Sequence, residues 1–222
     1  MKELLILQLE GILQSWGESS KWNKRSTAGF PTKSGIVGMI GCAMGLTRDD
    51  PRIGEIAEKI TIGIRSDRRG MVLDDFQTVQ GMPDLYTADG KKRSSNTIVT
   101  PREYLCDASF MIVIDTDKEL SDQIAEAFRN PVWPVYLGRK NCVPSKPVIV
   151  EKTDKYASII EALKCHPKGC RSDINNEYEI EVSKNDSGSY SRPDIPLGNR
   201  EFRKRTVWHG MLKEVPYVSD KS

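Results

Sequence analysis

The chain has 222 residues, 38% hydrophobic and 29% charged, which excludes an intrinsically disordered protein and suits one sizeable domain, alone or with a small appendage. Lys and Arg number 33 against 31 Asp and Glu, a net charge of +2, less basic than a freestanding, nonspecific nucleic-acid binder. A protein that reads one defined strand inside a larger assembly need not be more basic, so local clustering of cations matters more than their total.

The opening "MKELLILQLEG" holds an apolar run too short for a signal core or a membrane span. Five cysteines is an odd number, so the thiols are expected to be reduced and the protein cytoplasmic. "ELLILQLEG" reads as a buried first strand closed by Gly11. A polar, tryptophan-bearing loop follows, "LQSWGESSKWNKRSTAGFPT". In "KSGIVGMIGCAMGL" small residues recur at helical spacing, at Gly35, Gly38, Gly41 or Cys42, and Gly45. Each glycine costs a helix roughly 1 kcal/mol relative to alanine, so this helix is expected to pack very close to a sheet or another backbone. Ser34 reads as its N-cap, with Pro31 fixing the approach. "DDPRIGEIAEKI" reads as a short second helix capped by Asp49 and Asp50.

Ile60, Ile62 and Ile64 alternate through a strand in "ITIGIRSD", and "MVLDDFQTV" is expected to pair with it as a hairpin around "RSDRRG". Residues 80–101 turn polar, with turn signals at Pro83 and "ADG", and read as a projecting arm. The apolar end of "REYLCDASFMIVID" suits a central strand covered on both faces. "DKELSDQIAEAFRN" is an amphipathic helix, with Leu120, Ile124, Ala127 and Phe128 on one side, and "KPVIVEK" returns as a strand. Residues 1–150 thus run β-α-β-β-α-β with decoration, the ferredoxin-like order of an α+β fold. Residues 151–222 are expected to form a small β-rich C-terminal subdomain, with strands at "YEIEV" and "RTVWHGML" separated by a flexible "SKNDSGSYSRPDIPLG".

Cys165, His166 and Cys170 lack a second convincing ligand pair, and the adjacent acids Asp74 and Asp75 point to opposite faces of a strand, so no metal site is assigned. "GIVGMIGCAMG" lacks the Gly-Lys-Ser/Thr of a phosphate-binding loop, no dinucleotide fingerprint is met, and no Gly-x-Ser-x-Gly elbow occurs, so no cofactor is expected. His209 in "TVWHGM" could act as a general base on an RNA 2′-hydroxyl with a Tyr and a Lys, or sit as an ordinary strand histidine, the preferred reading. The positive signal is cationic: "KWNKR" at 21–25, "KKR" at 91–93, "RK" at 139–140 and "REFRKR" at 200–205, with Trp16, Trp22, Tyr104 and Tyr136 interleaved. Rings stack on unpaired bases while cations and backbone amides hold phosphates, which tilts the reading toward single-stranded RNA.

Four segments, "LLILQLEGILQSWG", "FPTKSGIVGMIGCAMGLTRDD", "REYLCDASF" and "PVYLGRKNC", together resemble the CasD family of type I-E CRISPR Cascade subunits, in the RAMP superfamily. The likeness covers roughly two-thirds of the chain and fades after about residue 155. It implies a ferredoxin-like (RRM-like) fold with a thumb hairpin at about 80–101, the position of the polar arm. It also implies a noncatalytic subunit that holds the 5′ handle of the CRISPR RNA, caps the backbone of repeated subunits and touches the large subunit. Target DNA would be met only indirectly, in a hetero-oligomer without membrane contact. In a related subtype the equivalent subunit is itself the endonuclease, so precursor processing through His209 stays the alternative. On this resemblance "YLGRKN" is the glycine-rich loop beside the handle. Tyr136 would pack or stack, Gly138 would permit close approach, Arg139 and Lys140 would meet phosphates, and Asn141 would read a base edge. Arg25, Lys33 and Ser34 would face the same strand, Arg102 and Tyr104 would lie at the thumb base, and Lys91, Lys92 and Arg93 would make contacts from the thumb tip.

Overall fold

A computed structural model describes residues 3–17, 24–87, 89–168, 173, 176–182, 188–198 and 201–211. The first strand, β1 (Leu4–Glu10), is buried almost throughout, as its unbroken apolar run requires. A two-residue strand, β2 (Leu13–Gln14), follows, then helices α1 (Lys33–Ala43) and α2 (Arg52–Lys59). Strands β3 (Thr61–Arg68), β4 (Met71–Gln80), β5 (Thr97–Cys106) and β6 (Ser109–Asp115) come next, then helix α3 (Lys118–Arg129) and strand β7 (Ile149–Thr153). Helix α4 (Ile159–Cys165), which has no counterpart in the sequence reading, leads to β8 (Glu177–Glu181), β9 (Ser189–Gly198) and β10 (Glu201–Met211).

These strands make two sheets. The larger has the order β7-β1-β6-β3-β8-β10-β9, with antiparallel pairing throughout. β6 lies inside it, flanked by β1 and β3, as its continuous apolar run predicts. Its side chains alternate between two cores. Phe110, Ile112 and Ile114 join residues of α1, α2 and α3 on one face, while Met111 and Val113 join Ala162 and Leu163 of α4 on the other. The C-terminal strands continue this sheet through β8 against β3. The smaller sheet has the order β2-β5-β4.

Three local expectations are corrected. β4 does not pair with β3, both of whose edges are taken by β6 and β8; it pairs along its whole length with β5. The arm therefore runs from 71 to 106 rather than from 80 to 101. The segment expected to be a flexible separator contains β9, an outer strand that pairs with β10. Pro193 and Pro196 are tolerated there because an outer strand offers N–H groups that no neighbour needs, and the pairing slips in register beside both. The cap of α1 is Thr32, whose hydroxyl accepts from the Gly35 N–H at 3.0 Å, and not Ser34. At Gly35 a Cβ would lie 2.9 Å from the Trp16 ring, so the close packing expected of this helix is met there, whereas at Gly38 nothing lies near.

Candidate nucleic-acid interface

The site begins at the end of β2. Gln14 is fully buried, and its amide donates to the carbonyls of Leu9 and Ala108 while accepting from the Trp16 indole. This anchors the backbone of residues 14–17. The Ser15 N–H then donates to the Leu137 carbonyl at 3.0 Å, which draws in the glycine-rich loop. That loop is closed on itself by hydrogen bonds from Leu137 N to Cys142 O and from Cys142 N to Arg139 O. Gly138 has φ of 92°, and a Cβ there would lie 1.7 Å from the Ser15 carbonyl oxygen, so both the conformation and the space demand glycine.

A strap at residues 24–27 closes the other side. Arg25 bridges to β5 in parallel, donating its N–H to Pro101 O at 3.0 Å and accepting from Glu103 N at 2.9 Å. Lys24 Nζ sits 2.6 Å from the Glu103 carboxylate, which also accepts from the Thr27 N–H. The Lys24 hydrogen bond holds the Glu103 carboxyl below the usual carboxylate range. Arg139 completes the junction. Its Nη1 donates to Glu103 O at 3.1 Å, its Nη2 donates to Arg25 O at 2.9 Å, and its guanidinium lies 4.6 Å from the centre of the Tyr104 ring.

Between these segments opens a cleft of about 360 Å³. Ser15, Gly17 and Gly138 line it with small residues, Ser26 adds a hydroxyl, and Arg25, Arg102 and Arg139 supply the charge. No carboxylate is among its lining residues. Arg25 and Arg102 make no side-chain hydrogen bond or ion pair to any described residue, and Arg102 Nε is sealed from solvent without an acceptor. Three positive groups facing a polar cleft suit an anion such as a nucleic-acid phosphate.

The structure thus brings together Arg25, Arg102, Gly138 and Arg139. Lys140 and Asn141 are exposed on the shoulder of the same loop, with Asn141 Nδ2 donating to the Tyr104 hydroxyl at 3.1 Å. Tyr104 itself is 1% exposed beneath Arg139, so its ring is not open to a base. Burial pushes its phenol up, but the Asn141 hydrogen bond and the neighbouring Arg139 guanidinium outweigh this and leave it below the usual phenol range. Tyr136 is half-buried outside the cleft lining.

Lys33 is the clear departure. Its side chain is 2% exposed, and the ammonium sits 3.0 Å from Glu181 and donates to Ile60 O at 2.8 Å. It is a buried structural cation. Together with Asp194, which accepts its backbone N–H, it ties the start of α1 to the C-terminal strands. Burial pulls its pKa down, against the pull of Glu181. Ser34 Oγ donates to Thr32 Oγ1 and also lies outside the cleft. Lys91, Lys92 and Arg93 are exposed on the arm, where Lys91 pairs with Asp89 and Lys92 with Asp84. Trp16 is core, 1% exposed. His209 packs edge-on against Phe30, 3.8 Å from Glu177, and is not a cleft residue. Trp22 and Cys170 lie outside the described residues. Among the described residues no group of three or more His, Cys, Asp or Glu side chains gathers as a metal site would require, and no helix is long and apolar enough to cross a membrane.

Ser15, Gly17 and Ser26 carry no role in the sequence reading. Their only signal is small size beside Trp16 and Arg25, and small polar residues are common in any loop.

A mixed α/β architecture on antiparallel sheets is shared with solved CRISPR-associated proteins. A chain of a CRISPR RNA-guided surveillance complex superposes with a TM-score of 0.79 at 30% identity, covering 94% of this chain and 89% of that one. A Cas protein crystal structure superposes with a TM-score of 0.74 at 29% identity, covering 94% of each. The family model described as CRISPR-associated protein (Cas_Cas5) matches residues 4–215, and the chain belongs to that family. The Escherichia coli (strain K12) CRISPR system Cascade subunit CasD is 35% identical over 161 residues, 68% of this chain and 71% of that protein.

Proposed function

We propose that this chain is a noncatalytic RNA-binding subunit of a CRISPR Cascade surveillance complex. It holds the 5′ handle of the CRISPR RNA, caps the backbone of repeated subunits and touches the large subunit. One observation carries the RNA reading: Arg25, Arg102 and Arg139, from segments up to 114 positions apart, converge on one cleft free of carboxylates. The family, the Cascade subunit named above and the likeness to a chain of an RNA-guided surveillance complex support membership in such an assembly.

The cleft works by charge and access. Guanidiniums neutralise phosphates and release their counterions, and the small residues let a sugar–phosphate backbone come close. The lining holds no aromatic ring, so it takes backbone rather than stacked bases. Lys140 and Asn141, on the exposed shoulder, meet the adjoining nucleotides. The order of the four strands β7-β1-β6-β3 is fourth, first, third, second in a β-α-β-β-α-β chain, which supports a ferredoxin-like core that runs a few residues past the expected boundary at 150, to the end of β7 at Thr153. The residues after β7 are its β-rich extension. The β4–β5 arm is the thumb, and Lys91, Lys92 and Arg93 at its outer end meet a neighbouring subunit or the guide RNA.

Replacing Arg25 and Arg102 by alanine tests this reading. Each substitution is expected to weaken binding of handle-bearing RNA about tenfold, the worth of one charge-assisted hydrogen bond. Unchanged handle affinity in the double variant would refute the assignment.

A further inference from the structure

We infer that Arg139 is a positioning residue, and that Arg25 and Arg102 are the cleft groups that touch the anion. The inference rests on the reading of the cleft as an RNA site. Arg139 looks from sequence like a phosphate ligand beside a glycine. Its geometry is that of a tie. Both terminal nitrogens already donate to main-chain carbonyls, one on β5 at Glu103 and one on the strap at Arg25. Its guanidinium carbon sits 4.6 Å from the centre of the buried Tyr104 ring. The guanidinium fork thus spans two chain segments that are also joined by the short parallel bridge between Arg25 and Arg102 and by the ties of the Glu103 carboxylate to Lys24 and Thr27. It fixes the spacing of the residues that carry the two other guanidiniums. Those two have no side-chain partner among the described residues.

The division of labour makes lysine a discriminating substitution. A lysine can replace an arginine that acts as a point charge on phosphate, but its compact ammonium does not reproduce the planar fork whose two nitrogens reach one carbonyl each. The experiment measures binding of the full chain to a short single-stranded RNA that copies the repeat-derived 5′ end of the CRISPR RNA. Affinity is followed across a series of salt concentrations, and the active fraction of each variant is fixed by stoichiometric titration. Loss of a phosphate contact flattens the plot of log affinity against log salt by about 0.7, whereas loss of a positioning residue leaves the slope unchanged.

Arg25→Ala and Arg102→Ala are expected to flatten the slope, and Arg25→Lys and Arg102→Lys to restore it. Arg139→Ala and Arg139→Lys are both expected to weaken binding about tenfold, with wild-type slope and wild-type active fraction. A flattened slope in Arg139→Ala, wild-type affinity in Arg139→Lys, or a reduced active fraction in both would each overturn the positioning role while leaving the RNA reading intact. A wild-type chain that shows no salt-dependent RNA binding would overturn both.

Discussion

Gly138 is the residue on which the cleft turns. Its positive φ and the contact with Ser15 O leave no room for a methyl group, so Gly138→Ala must move the loop or the end of β2. Strain and overpacking together are expected to cost about 2–4 kcal/mol, seen as a lower denaturation midpoint with RNA binding lost beyond the stability effect. Glu103 gives a pH signature. Its folded-state pKa is depressed, so its contribution is present above the unfolded carboxylate value near 4.5 and is lost as pH falls through the folded value. Glu103→Gln is therefore expected to flatten the acid side of the stability curve below about pH 4.5, measured by denaturation at stepped pH; an unaltered acid limb would show that the Lys24 tie is not made in solution. Residue identities at this scale were only partly legible. Glycine with flanking cations points to a turn at 136–141, and Gly138 has the positive φ that such a turn requires, because that need is local. Lys33 was misplaced because its partner Glu181 lies 148 positions away, and a lysine at a helix start reads the same whether it faces RNA or a buried carboxylate.

At the scale of elements, the arm is the least self-sufficient part of the fold. Its two long strands expose apolar side chains that a free surface does not need, among them Met71 at 75% and Phe76 at 71%. Most of its length contributes little to either core, so replacing residues 81–96 by a short turn is expected to leave the melting temperature within about 2 °C of wild type. The same deletion is expected to reduce co-purification with other subunits of the complex. A large loss of thermal stability would place the arm in the core instead. The arm's existence was readable from its polarity and turn signals, but its base was not. "MVLDDFQTV" reads as a strand, while its partner is chosen by which edges remain open, and β3 has none to offer. β9 was hidden for a related reason: its serines and prolines suit a loop or an outer strand equally well.

The whole molecule joins two cores through one sheet and brings its cations together by topology. β1, β3, β6 and α3 announced themselves by period and apolar content, which are local properties. The cleft did not, since it exists only when the end of β2, the strap, β5 and the loop after α3 meet. The proposed grip on RNA belongs to that meeting and to no segment alone. The most direct measurement is photo-crosslinking of the isolated native complex, with mass spectrometry to locate RNA-linked peptides. A cleft that seats the handle places the crosslinks in peptides carrying residues 15–17, 25–26, 102 and 138–141. Crosslinks confined to other surfaces, with those peptides unmodified, would contradict it.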